Sequence, residues 1–165
     1  MRQPVPTIDL RRDLIGLLPK LRRFAMTLTT TPAEADALVH LVCDRAIAKS
    51  HLWNADTRLD SWLYTITRML WADEKKKRKA GAGAGPVVAE HRITNTAEAY
   101  ANPLHRLIAS LPEGTASVFI LVSIEGHSYQ QASDILAIPV ATVMTRLAAG
   151  RIQFAKADPL RGGEV

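Results

Sequence analysis

The sequence predicts an all-α chain divided into two small helical domains, and three observations carry that prediction. No stretch alternates apolar and polar residues over the length of a strand, whereas apolar residues recur at 3.6-residue spacing through both halves. Between the halves, AGAGAGP at 80–86 breaks the pattern, because alternating glycines dissolve helix preference and Pro86 removes a backbone donor. The polar, aperiodic run that follows to about 101 extends the break into a linker. At 165 residues and 47% hydrophobic content, each side of the linker has material for a core. The expected boundaries are 8–80 for the first domain, 81–101 for the linker and 102–157 for the second domain.

In the first domain, a helix over 8–29 carries Leu14, Leu17, Leu18, Leu21 and Phe24 or Ala25 as its inward stripe. The second starts at TPAE, where Thr31 can cap, Pro32 suits the first helical position and Glu34 completes a capping box. It runs to about Ser50 on Ala35, Leu38, Val39, Val42 and Ala46. The third covers 58–79, with Leu59, Trp62, Leu63, Ile66, Met69 and Leu70 as the stripe expected to pack inward. Arg58, Ser61, Thr65, Arg68, Ala72, Lys75, Lys76 and Lys79 form the opposite face, Tyr64, Trp71 and Arg78 lie between, and Glu74 is expected to pair with Arg78 at i+4. That outer face reads as a cationic strip roughly 30 Å long at 1.5 Å per residue.

In the second domain, NPLHRLIASL opens with an Asn cap and a proline, and predicts a short helix over 103–111. A helix over Glu113–Ile124 is closed by Gly126, and Ser128 with Gln131 forms a second capping box. Two further helices meet at AIP, with Ile138 as the turn hydrophobe and Val140, Val143, Met144 and Leu147 as the stripe of the last one. So short a turn matches a helix-turn-helix, whose second helix enters the major groove. Thr142, Thr145, Arg146 and Ala149 lie on its outward face, with Arg151 and Lys156 further along. An arginine can read guanine bidentately and a threonine can reach a base or phosphate, but a face this sparsely charged contributes modest affinity.

Charge separates the halves. Of 21 Lys+Arg and 16 Asp+Glu, residues 1–80 hold 15 and 9, and residues 81–165 hold 6 and 7. The first half is therefore the cationic one. Cations bind phosphates by releasing counterions, and the rings of the third helix offer stacking surfaces to unpaired bases, a pairing that suits single-stranded DNA. The plainer reading of KKKRK is a solvated helix terminus favoured by the helix dipole. The helix-turn-helix in the other half is a second, independent nucleic-acid signal and tips the balance toward DNA binding.

Enzymatic chemistry finds no constellation. His40 and Cys43 stand at i and i+3, but two ligands are too few for a metal site, and no other cluster has metal spacing. AGAGAG precedes no helix and lacks the Lys-Ser/Thr ending of a phosphate loop. Asp73 and Glu74 diverge by about 100° on a helix. The expectation is a non-enzyme without cofactor or metal. The single cysteine, Cys43, fits a reducing cytosol, the opening MRQPVPTID lacks the apolar core of a secretory signal, and no stretch approaches the length of a membrane span, so a cytoplasmic protein is expected.

With these residues assembled, the chain resembles the sigma factors of bacterial RNA polymerase, of the small two-domain extracytoplasmic-function class. LPKLRRFAMTLTTTPAEADALVHLVCDRAI resembles the first two helices of that family's promoter-melting domain, and WNADTRLDSWLYTITRMLWADEKKKRK its minus-10 recognition segment. LPEGTASVFILVSIEGHSYQQASDILAIPVATVMTRLAAGR resembles the C-terminal minus-35-reading domain. The similarity spans about residues 10–156, in the family's order.

The resemblance implies a stress-response transcription factor that binds core polymerase, carries it to promoters and helps open DNA, with an anti-sigma factor as a further partner. It assigns polymerase binding to the 37–45 segment, with Leu38, His40, Leu41, Asp44 and Arg45. It assigns the melted minus-10 strand to Asn54, Asp56, Arg58, Ser61, Trp62, Thr65 and Arg68, and the adjoining duplex backbone to the run from Lys75 to Lys79, Lys76 among them. Thr142, Thr145, Arg146 and Arg151 would face the minus-35 element. The chain departs from the family in two places. ALVH at 37–40 stands where DLVQ is usual, and Ala137, Ala141, Ala148, Ala149 and Gly150 replace Gly, Gly, Ser, Arg and Ala of the usual turn and recognition helix. These blunted contacts leave two other readings open, a sigma-like decoy that occupies an anti-sigma factor and a stand-alone helix-turn-helix regulator.

Overall fold

The computed structural model describes residues 7–54, 56–80, 110–112 and 114–157. The linker expected over 81–101 lies outside them, as does most of the helix expected over 103–111. The described residues are helical and contain no strand, so the all-α expectation holds. The chain divides into two compact units, Met1–Arg92 and Ile93–Val165, taken separately below.

The first unit is three helices that all pack on one another: α1 (Thr7–Leu28), α2 (Pro32–Ala48) and α3 (Leu59–Ala80), with a 3-10 turn at Ser50–Leu52. Leu10, Leu14, Leu21, Phe24 and Ala25 of α1 are buried, while Leu17 is half-buried and Leu18 is exposed. Leu18 was expected inward, but the buried stripe runs through Leu10, Leu14, Leu21, Phe24 and Ala25 and leaves it outside.

All five expected positions of α2, Ala35, Leu38, Val39, Val42 and Ala46, are buried. Thr31 caps the helix, its hydroxyl oxygen accepting the Glu34 N–H at 3.2 Å. The second half of the capping box is displaced by one residue. The Glu34 carboxylate reaches the N–H of Thr30 at 3.1 Å and accepts its hydroxyl at 2.9 Å, rather than returning to Thr31.

The inward face of α3 differs from the expected one. Asp60, Leu63, Tyr64, Thr67 and Trp71 are buried, and Leu59, Trp62, Ile66 and Leu70 are only half-buried. Met69 is 53% exposed. The observed stripe is the expected one advanced by a single residue, a rotation of about 100° at 3.6 residues per turn. Tyr64 drives it and Thr67 permits it. Tyr64 is fully buried with its ring 4.8 Å from that of Phe24, tilted by 45°, and rings of this size dominate the area a helix can hide. Thr67 counts as polar in a hydrophobic pattern, yet its hydroxyl donates to the Leu63 carbonyl at 2.7 Å and so enters the core with its donor satisfied.

In the second unit, α4 (Thr115–Phe119) runs directly into a π-helical turn at Ile120–Ile124, followed by α5 (Tyr129–Leu136) and α6 (Val140–Ala157). The single helix expected up to Ile124 is thus an α-helix that widens. At the end of the π turn the Leu121 carbonyl accepts the backbone N–H of His127 at 2.9 Å, with the buried His127 ring Nδ1 3.1 Å away. The Ser128–Gln131 capping box is complete: Gln131 N–H donates to the Ser128 hydroxyl at 3.0 Å, and Ser128 N–H to the Gln131 side chain at 2.9 Å. Helices α5 and α6 are bent by 105°, within the roughly 90–120° of a helix-turn-helix.

Both helices pack into a core of Val118, Ile120, Leu121, Ala132, Ile135, Val143 and Leu147. Met144, expected in the stripe, is 52% exposed. The stripe of α6 instead continues from Val143 and Leu147 to Gly150 and to Phe154, whose ring stacks on Phe119 at 4.6 Å. Gly150 is there for space, because a Cβ would lie 3.0 Å from Thr115 Cγ2 and 3.4 Å from Phe119 Cδ2.

The turn between α5 and α6 passes through Ala137 at φ 53°, left-handed for a residue with a Cβ. That conformation costs an alanine roughly 1–2 kcal/mol. Ala137→Gly is therefore expected to stabilise the chain by about 0.5–1 kcal/mol once the larger backbone entropy of glycine is subtracted, read as a higher urea midpoint at unchanged slope. Gly150→Leu is expected to lower the same midpoint by about 1–3 kcal/mol equivalent, since the added side chain meets Thr115 and Phe119.

Candidate nucleic-acid interface

The loop entering α3 is closed by its own polar groups. The Asn54 side-chain oxygen accepts the Asp56 N–H at 3.1 Å, the Asn54 carbonyl accepts the Thr57 N–H at 2.9 Å, and the Trp53 indole N–H donates to the Thr57 carbonyl at 3.2 Å. Asn54, Asp56 and Arg58 are consequently presented at the surface. Arg58 is also tied down, with Nη2 2.7 Å and Nε 3.1 Å from the two carboxylate oxygens of buried Asp60. Asp60 accepts the Ser61 N–H at 2.8 Å as well, placing an anion at the positive end of the helix. Sequence reading passed over Asp60, although an acid in the first turn after a loop arginine is a legible signal.

Further along α3, Ser61, Trp62, Thr65 and Arg68 are half-buried, and the Thr65 hydroxyl donates to the Ser61 carbonyl at 3.0 Å. Of the three rings expected to offer stacking surfaces, Trp62 alone is not buried. Tyr64 and Trp71 belong to the core. The continuous cationic strip is likewise interrupted, because the 100° rotation brings Met69 and Asp73 to the outer surface between Arg68 and the lysines. Lys75, Lys76, Lys77 and Lys79 are exposed and gather the positive charge at the C-terminal end of α3.

Arg78 has a different environment. Its Nη1 lies 3.2 Å from Glu34 Oε1 and its guanidinium carbon 5.0 Å from the centroid of the Trp71 ring. The expected i+4 partner, Glu74, stands at 3.9 Å from Nε, behind Glu34 in closeness. Nothing in the sequence marks a partnership between residues 44 positions apart. Burial pushes the Glu34 carboxyl up, but the Thr30 N–H and hydroxyl and the Arg78 charge outweigh it and hold the group below its ordinary value.

On α2, His40, Leu41, Asp44 and Arg45 share the outer face, with His40 Nε2 3.5 Å from Asp44. Leu38 does not join them; at 3% exposure its side chain belongs to the core. Cys43 is half-buried, and burial together with the neighbouring Asp44 pushes its thiol up, away from reactivity.

On α6, Thr145 and Arg151 are exposed and Thr142 is half-buried. The Thr145 hydroxyl donates to the Ala141 carbonyl at 2.9 Å. Arg146 is half-buried and folds back over Gly114, where a Cβ would fall 2.6 Å from its Nη1. Among the described residues, no group of three or more His, Cys, Asp or Glu is arranged to hold a metal ion, and no single helix is long and apolar enough to cross a membrane.

Comparison with known proteins finds likeness in both halves of the chain. Residues 14–68 match the family described as the Sigma2 domain of PhyR, and residues 101–154 match Sigma-70, region 4. The extracytoplasmic-function RNA polymerase sigma factor EcfG of Rhodopseudomonas palustris (strain TIE-1) is 28% identical over 162 residues, covering 96% of this chain and 90% of the relative. The sigma factor RpoE of Bartonella quintana, solved with the anti-sigma factor NepR, superposes with a TM-score of 0.68 at 21% identity over 94% of this chain and 99% of that one. The anti-anti-sigma factor PhyR of Bartonella quintana, solved with NepR, has a TM-score of 0.53 at 19% identity, covering 89% of this chain and 49% of PhyR. The resemblance to sigma factors read from the residues is thereby borne out in both halves of the chain. Within that class, the likeness is to the two-part extracytoplasmic-function kind.

The Glu34 geometry fixes a pH dependence. A carboxyl whose pKa is lowered by folding contributes stability above its unfolded value and loses it as pH falls through the folded one. The thermal stability of the first unit is therefore expected to fall as pH drops through the ordinary carboxylate value and below it, and Glu34→Gln is expected to remove part of that slope.

Proposed function

We propose that the chain is a transcription initiation factor: it binds core RNA polymerase, directs it to promoters and helps open them. The observation that supports this most is the conjunction, along 96% of the chain, of likeness to an extracytoplasmic-function sigma factor with a helix-turn-helix bent by 105°. On this reading, the outer face of α2, with Leu41 flanked by His40, Asp44 and Arg45, docks on the polymerase. The loop at Asn54–Arg58 with Ser61, Trp62, Thr65 and Arg68 holds the unpaired minus-10 strand, Trp62 supplying the stacking ring. Lys75, Lys76 and Lys79 contact the adjoining phosphates, and Thr142, Thr145 and Arg151 face the minus-35 major groove, with Arg146 after it swings off Gly114. An anti-sigma factor is the regulatory partner, since RpoE of Bartonella quintana is solved with one.

A second reading is a sigma-like decoy that occupies an anti-sigma factor without initiating transcription. Two observations favour keeping it: the first unit matches the Sigma2 domain of PhyR, and PhyR of Bartonella quintana is an anti-anti-sigma factor bound to NepR. Reconstitution separates the two. Core polymerase with the full chain is expected to transcribe promoters from its own genome that core alone does not; capture of an anti-sigma factor with no polymerase binding selects the decoy. In the initiating complex, replacing Lys75, Lys76 and Lys79 by Gln is expected to weaken promoter association and flatten its salt dependence, by up to about 0.9 log unit per phosphate contact removed. An unchanged slope returns that run to a solvated helix end.

A further inference from the structure

Beyond Trp71, α3 buries no residue, yet it continues as a regular helix to Ala80. A helix end carrying Lys75, Lys76, Lys77 and Lys79 repels itself, and among the described residues none in its last two turns is buried. Arg78 supplies a tertiary anchor. Its guanidinium reaches across to Glu34 at the start of α2, lies over the Trp71 ring and stands near Glu74. Glu34 is itself fixed by the N–H and hydroxyl of Thr30 ahead of α2. One planar group therefore joins the C-terminal turns of α3 to the N-terminus of α2 through a carboxylate already held by two donors.

We propose that Arg78 is a positioning residue: it clamps the end of α3 to the start of α2 and so sets the direction in which Lys75, Lys76 and Lys79 project toward nucleic acid, without contacting nucleic acid itself. This rests on the reading of α3 as a DNA-binding helix. The clamp needs arginine, because a lysine ammonium cannot lie flat on Trp71 while donating to Glu34.

The test uses core polymerase carrying the full chain, and a fluorescent fork-junction DNA with an unpaired minus-10 strand, its sequence taken from DNA that co-purifies with the complex. Association is measured across a salt series with Glu34→Gln, Arg78→Lys and the triple Lys75, Lys76, Lys79→Gln variant. Glu34→Gln adds one net positive charge and frees the guanidinium, so simple electrostatics predicts tighter binding. The clamp predicts about fivefold weaker binding, on the scale of a lost surface ion pair. Arg78→Lys keeps its charge and is expected to fail to rescue.

Wild-type binding by Arg78→Lys together with tighter binding by Glu34→Gln overturns the clamp. If the triple lysine variant binds as wild type does, the DNA-binding reading itself falls, whatever Arg78 does. Should Glu34→Gln lose helicity by circular dichroism, Arg78→Lys alone decides, at a temperature where it is folded.

Discussion

The rotation of α3 about its own axis is the constraint on which the first unit depends, and two aromatic rings set it. With Tyr64 seated against Phe24 and Trp71 beneath Arg78, every other residue of the helix receives its exposure by default. Leu63 stays inside, Thr67 follows because it can satisfy its hydroxyl locally, and Met69 and Asp73 are carried to the surface. The same rotation leaves Trp62 half-exposed beside the Asn54 loop and sends the lysines outward. The chemistry available to a nucleic acid is thus decided by packing in the core.

Much of the architecture was legible in the residues. The stripe of α2 needed nothing beyond its apolar spacing, since all five positions are aliphatic and fall on one face. The Ser128 capping box and the turn at Ala137 were equally readable, because caps and turns are chemistry between near neighbours. The phase of α3 was not, since a pattern that weighs apolar residues alone ranks Leu59 and Met69 above Thr67. Met144 was misplaced for a related reason: Gly150, which counts as nothing in a hydrophobic pattern, is the position through which α4 approaches α6.

The candidate surface was harder to read than the fold. Arg78 looked like one cation among five, and only its placement against Glu34 and Trp71 sets it apart. Leu38 was read both into the inward stripe of α2 and into the polymerase-binding segment, and its burial keeps only the first of these. Arg146 folds over Gly114, a contact that depends on the absence of a Cβ, which would fall 2.6 Å from its Nη1. Long-range pairings and backbone left open by a missing Cβ leave no local trace in a sequence.

The end of the π turn carries one more consequence. A carbonyl can only accept, so the hydrogen in the contact between the His127 ring and Leu121 sits on Nδ1, and the tautomer is dictated by the fold. Of the two carboxamides, asparagine offers an N–H near that position, whereas glutamine carries its own further out, where Nε2 stands. Substitution at this corner thus has a chemical grammar that volume alone would not reveal.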